Sequence, residues 1–262
     1  MSKLRIFSYL PNPRIWKATI AARLCDVAIE LRGASTKEIG ARLWDFDARP
    51  LTDQDKENEE WQRGSRVAFT GQRLFKTDAF LSAHPFGTVP AAFDPSGSIG
   101  IFESNSIMRT VARIGADRYS LYGSDPYSSS RIDSFLDVSA VFGREAQIYL
   151  LGFSENGIAR ELHARASEAF DNYMAGIERA LSPDREFLVG NSLSLADICF
   201  VAEISLFSSE RRRWAMMRQA QLQPIFEQAE RRFPLAMAHF DRLIVHPAFA
   251  PDTLPYLRKL AA

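Results

Sequence analysis

Glu103-Ser104-Asn105 closes an apolar run, Ile99 to Phe102, and opens a helical pattern through Ile107, Met108, Val111 and Ile114. The first turn of a helix leaves backbone N–H groups unpartnered and carries the positive end of the helix dipole, so this mouth suits a small carboxylate. Just upstream, Val89 precedes Pro90, and such a bond is the only kind with a readily populated cis form. Ala91 to Phe93 is apolar, and Asp94-Pro95-Ser96-Gly97 is strong turn chemistry, so two short strands precede the helix. An ordinary hairpin ahead of a serine-capped helix fits the same residues. Cys25 and Cys199 lie far apart, without CxxC or metal-ligand spacing, and read as small buried residues; no metal site is expected.

These residues need a scaffold, and the chain supplies one in order. Leu4 to Tyr9 is a compact apolar strand ending in Leu10-Pro11-Asn12-Pro13, where Pro13 can open a helix capped by Asn12. Ile15, Trp16, Thr19, Ile20, Ala22 and Leu24 continue that helix to about Cys25. Val27 to Leu31 predicts a second strand, broken by Gly33. Strand, helix, strand, hairpin, helix is the order of a thioredoxin-like α/β domain, with its first two strands parallel through a right-handed crossover.

The interval from Ala34 to about Lys76 interrupts that order. Its DQDKENEEWQRG segment predicts a charged helix or an exposed loop. Trp44, Phe46, Trp61, Phe69 and Phe75 argue against disorder. Two readings fit: a partly helical flap in which Trp44, Phe46 or Trp61 lines a substrate pocket, or a solvated insertion on the rim.

Residues 117–130, rich in Tyr, Ser, Gly and Asp, read as a linker. From Arg131 the pattern is helical almost to the end. Ser194-Leu195-Ala196-Asp197 is a capping box at the head of an apolar helix, expected to be the buried centre of an all-α domain. Phe233-Pro234 is expected to start the last long helix and His246-Pro247 to end it.

With 262 residues the chain can bury one large core or two modest ones, and its net charge of zero gives no global case for nucleic acid or an anionic membrane. The N-terminus lacks the pattern of a signal peptide and no window has the length of a membrane span, so a cytoplasmic protein is expected.

A small strand–helix domain followed by an all-helical one resembles the cytosolic glutathione transferases. VPAAF followed by IFESN resembles that family's cis-proline loop and glutathione-binding turn, and FLVGNSLSLADICFV its C-terminal capping-box segment. YLPNPRIWKA, Tyr9 to Ala18, together with FESN, is most similar to the transferase-like region of the elongation factor 1 gamma subunit and its bacterial relatives. The insertion is foreign to that subgroup. The resemblance implies a thioredoxin-like glutathione-binding domain over 1–116, a linker over 117–130 and an all-helical domain over 131–262.

It also implies roles. Ser104 would hold the γ-glutamyl carboxylate of glutathione, Glu103 the ammonium, and the Val89 backbone, fixed by a cis Pro90, the cysteinyl segment, with Arg14 a further contact. Thiol activation would fall to Asn12, Tyr9 or Ser8. Asn12 is preferred because its amide and the helix N-terminus can both face a sulfur, although a plain N-cap fits it equally. Pro13 occupies the place where the family carries a serine.

The expected activity is a glutathione transferase or glutathione-dependent lyase, whose thiolate attacks a hydrophobic, aromatic electrophile, with aryl ether cleavage one such reaction. The rival is a non-catalytic scaffold, as the gamma-subunit resemblance suggests; the intact glutathione turn and the lack of a further folded module after Ala262 count against it. A thiol–disulfide oxidoreductase would need a cysteine at the first helix start. A homodimer, or a heterodimer with a related chain, is expected beside Tyr119, Tyr122 and Tyr127.

Overall fold

A computed structural model describes residues 3–64, 69, 71–155 and 157–261, and the chain divides into two compact units, Met1–Tyr119 and Ser120–Ala262. The first unit is built on a four-stranded sheet of order β2-β1-β6-β7, from β1 (Leu4–Tyr9), β2 (Ile29–Ala34), β6 (Ala91–Phe93) and β7 (Gly100–Phe102). β1 and β2 are parallel, joined through helix α1 (Pro13–Cys25), whereas β1–β6 and β6–β7 are antiparallel. Helix α4 (Ser104–Ile114) follows β7 and packs on α1. This is the thioredoxin-like arrangement that the element order predicts.

Gly33 does not break the second strand. It lies inside β2 opposite Ser8, where a Cβ would stand 1.9 Å from the Ser8 carbonyl oxygen. Glycine is there to let two backbones approach, not to end a strand.

The described residues of the interval 34–76 are more than a partly helical flap or a solvated rim insertion. They form a second sheet of order β3-β5-β4, from β3 (Leu43–Trp44), β4 (Gln62–Arg63) and β5 (Leu74–Lys76), with the short helix α2 (Asp53–Glu57) between β3 and β4. Helix α3 (Asp78–Ala83) follows β5. Trp44 and Leu74 join Phe7, Phe80, Ala91 and Phe93 in one apolar core. Trp44 is 1% exposed, edge-on to Phe7 at 5.5 Å and to Phe80 at 6.0 Å. A pocket-wall role for Trp44 is thereby replaced by a core role. The one carboxylate that α2 buries, Asp55, is satisfied internally: Arg49 donates to both of its oxygens at 2.6 and 2.8 Å, and Thr52 caps α2 in a capping box with it. The Arg49 bond is the main cause that holds the Asp55 carboxyl far below the usual carboxylate range.

The second unit is all helical: α5 (Pro126–Leu151), α6 (Arg160–Leu181), α7 (Leu195–Phe207), α8 (Trp214–Gln219), α9 (Ala229–Arg232), α10 (Pro234–Ile244) and α11 (Ala250–Ala261). The expected linker is cut short, because Asp125 caps α5 and Pro126 takes its first position. Nor is α10 the last helix, since α11 follows it. As expected, α7 is the buried centre, and Ser194 and Asp197 close its capping box.

Asp197 does more than cap. One carboxylate oxygen accepts from the Ser194 N–H and hydroxyl, both at 2.9 Å. The other accepts from the Leu188 N–H at 3.0 Å and faces His239 Nε2 at 2.9 Å. Arg242, which can only donate, meets His239 Nδ1 at 2.9 Å, so the proton sits on Nε2 and points at Asp197. Glu210 plays the same part on α5 and beyond, accepting from the Tyr149 hydroxyl at 2.7 Å, the Trp214 indole at 3.1 Å and two backbone N–H groups. Burial, then the Glu210 charge, drives the Tyr149 phenol well above its ordinary value.

Candidate functional site

Sheet register brings the chemistry together. Phe7 pairs with Ala91, and Ala91 pairs with Phe102. One residue beyond that row, at the same end of the sheet, lie Ser8 on β1, Pro90 ahead of β6 and Glu103 after β7. The N-terminus of α4 starts at this end, and the Val89–Pro90 bond is cis.

Glu103 is exposed, with φ 66° and ψ 125°, and its side chain makes no cap bond to α4. A left-handed φ at a residue with a Cβ costs on the order of 1–3 kcal/mol and persists where the surroundings impose it. Ser104 and Asn105, 8% and 9% exposed, fill the first turn. Beneath them lies Lys17 of α1, 1% exposed, whose Nζ donates to Asn105 Oδ1 at 2.8 Å and to Ser104 Oγ at 3.3 Å.

Asn12 is 1% exposed and caps α1, its Oδ1 accepting from the Arg14 N–H at 3.0 Å while its Nδ2 donates to Ser8 Oγ at 3.1 Å. Both ends of the amide are therefore engaged inside the chain. Tyr9 is half-buried, its ring edge-on to Phe69 at 5.8 Å. Phe46 and Trp61 are half-buried; Phe46 meets Phe93 at 5.9 Å and carries the Arg5 guanidinium 4.1 Å over its ring.

The loop that carries Val89 is held from below. Buried Lys76 donates to the Gly87 carbonyl at 2.7 Å and lies 4.7 Å over the Trp44 ring, and burial lowers its pKa. His84 is fully buried, stacked on Phe102 at 4.8 Å, with Nε2 3.4 Å from the Thr88 hydroxyl. Its Nδ1 has no hydrogen-bond partner among the described residues. Burial, aided by the Lys76 charge, pushes the His84 pKa down to about 4.

Lys17, Lys76 and His84 were invisible to motif reading. A signal for Lys17 existed, since it stands four residues after Pro13 and three before Ile20, on the apolar face of α1. No such cue marked the other two. Elsewhere, a cavity of about 300 Å³ between α5 and α6 is lined by Val138, Val141, Phe142 and Tyr173, with Glu145 and Arg165 at its side; no residue singled out for glutathione chemistry lines it. Among the described residues no His, Cys, Asp and Glu cluster could hold a metal ion, and no helix is long and apolar enough to cross a membrane.

Residues 147–247 match the family profile "Glutathione S-transferase, C-terminal domain". The chain is 33% identical over 137 residues to the probable elongation factor 1-gamma 1 of Arabidopsis thaliana, covering 50% of the chain and 31% of that protein. It is 30% identical over 134 residues to glutathione S-transferase F9 of the same plant, covering 47% and 59%. The chain thus spans less than two thirds of either relative. The crystal structure of glutathione transferase URE2P8 from Phanerochaete chrysosporium, with oxidized glutathione, superposes with a TM-score of 0.67 at 14% identity over 100% of this chain and 98% of that one. Residues 147–247 are thus similar to the C-terminal domain of glutathione S-transferases, and the fold of the chain is that of the solved glutathione transferase.

Proposed function

We propose that the chain binds glutathione at the N-terminus of α4 and acts as a glutathione transferase or glutathione-dependent lyase on a hydrophobic, aromatic electrophile. The register row that brings Ser8, the cis Val89–Pro90 segment and Glu103-Ser104 to one end of the sheet carries this reading. Ser104 and the α4 N–H groups receive the γ-glutamyl carboxylate, Glu103 the ammonium, and the Val89 backbone the cysteinyl segment. Arg14, at the start of α1, adds a cation near the same end. Thiol activation falls to the Asn12–Ser8 pair with the α1 N-terminus: because Asn12 donates into Ser8 Oγ, the Ser8 proton is the one left to meet a sulfur. Phe46 and Trp61, half-buried rather than enclosed, remain candidates for contact with the electrophile.

Titration calorimetry with glutathione tests the reading. Ser104→Ala should weaken binding by about 1.5–3 kcal/mol, the value of a charge-assisted hydrogen bond. Unchanged affinity in that variant removes Ser104 from the site. Turnover is tested with aryl halide and aryl ether substrates.

The second reading is a non-catalytic scaffold. It is favoured by the likeness to elongation factor 1-gamma and by the Asn12 amide, whose two ends are already engaged. Glutathione binding without turnover of any electrophile would decide for it. In either case a cytoplasmic homodimer, or a heterodimer with a related chain, is the expected form.

A further inference from the structure

Lys17 is the odd residue of α1. Of the helix's 13 residues ten are buried, and Lys17 is among them at 1% exposure. Lysine is almost never so buried unless paired, because stripping water from an ammonium is costly. Its Nζ reaches across 87 positions of sequence to the first turn of α4, at 2.8 Å from Asn105 Oδ1 and 3.3 Å from Ser104 Oγ.

An ammonium has three donors and no acceptor, whereas a serine hydroxyl has one proton and two lone pairs. Ser104 Oγ therefore accepts from Lys17, and its own proton has to be given elsewhere. A carboxylate at the mouth of α4 can take that proton and the free backbone N–H groups together. The same contact adds a full positive charge behind a helix terminus that is already positive.

We propose that Lys17 is a positioning residue of the glutathione site, which fixes Ser104 as a hydrogen-bond donor and anchors Asn105 so that the first turn of α4 is preset for the γ-glutamyl α-carboxylate. The inference rests on the glutathione reading above. It goes further in assigning the carboxylate subsite a buried cation that never touches the ligand. A purely structural lysine would support every part of the ligand alike, whereas a positioning lysine acts on one carboxylate.

The experiment compares glutathione with 4-aminobutyryl-cysteinyl-glycine, which lacks only that carboxylate, as ligands of the wild type, Lys17→Met and Lys17→Arg. Circular dichroism confirms folding. Lys17→Met should bind glutathione about tenfold more weakly, a loss of about 1.4 kcal/mol, and bind the analogue as the wild type does. Lys17→Arg should recover most of the glutathione affinity. Equal losses for both ligands, or no loss for glutathione, overturn the positioning role. Should Lys17→Met fail to fold, Lys17→Gln takes its place, and failure of both would make Lys17 structural and overturn the proposal. The wild-type titration reads the glutathione site independently: no binding there overturns the site itself, and the Lys17 role with it.

Discussion

Glu103 carries a conflict between backbone and side chain. Its φ of 66° with ψ 125° suits glycine, yet a glutamate stands there. Glu103→Gly should relieve strain and raise stability by up to about 1 kcal/mol, after the extra entropy of glycine in the unfolded chain is subtracted. The same variant should lose glutathione affinity, because the partner of the ammonium is gone. A melting curve and a titration on one sample check both halves, and a variant that is less stable than wild type would show that Glu103 is not strained. Asp197 presents the opposite case, a residue whose every contact agrees. Asp197→Ala orphans two buried N–H groups, the Ser194 hydroxyl and His239 at once, so a loss on the order of 3 kcal/mol is expected by denaturant unfolding. A wild-type midpoint with lost catalysis would instead move Asp197 into the site.

At the scale of elements, what the sequence revealed was local. The cis Val89–Pro90 bond, the Ser194–Asp197 capping box and the Glu103–Ser104 helix start each need only a few neighbouring residues, and each is where the pattern put it. The second sheet is different. β3 and β4 have two residues each and β5 three, too few to show a period, and their pairing joins positions such as Leu43 and Phe75. Trp44 was accordingly read by its aromatic type rather than by its burial. Trp44→Ala should destabilise the first unit by roughly 3–5 kcal/mol, and bridging 34–76 with Gly and Ser should unfold it rather than only change an electrophile's Michaelis constant. The start of α5 is legible in the sequence, since Asp125-Pro126 is an N-cap followed by a first-position proline. The loop from α3 to Pro90 adds a pH dependence. Folded His84 has a pKa of about 4 against an ordinary 6.5, so between those values the unfolded chain takes a proton that the folded chain refuses. Stability from this group is complete above pH 6.5 and falls by about 3 kcal/mol as the pH drops toward 4. His84→Phe keeps the stacking on Phe102 and should flatten that part of the stability–pH curve; parallel curves for the two proteins would show that His84 titrates normally.

At the scale of the whole molecule, α5 presents apolar side chains that its own unit does not cover. Tyr127 is 88% exposed, Val138 56%, Val141 68% and Leu151 62%, and Val138 and Val141 stand three residues apart on one helical face. Of the three tyrosines expected at an interface, Tyr127 alone is fully outward; Tyr122 is half-buried and bonds Asp133 at 2.6 Å. Val138 and Val141 are neighbours on that face, and a twofold dimer would bury the same pair of both copies. The expected homodimer therefore makes a specific demand on these two valines. Val141→Glu would place two like charges near the axis in a desolvated setting, while in a monomer it would sit harmlessly in water. Light scattering at micromolar concentration should report a dimer for the wild type and a monomer for Val141→Glu, with unchanged helicity. A wild-type monomer rejects the homodimer, and a dimer that survives Val141→Glu moves the interface off this face of α5.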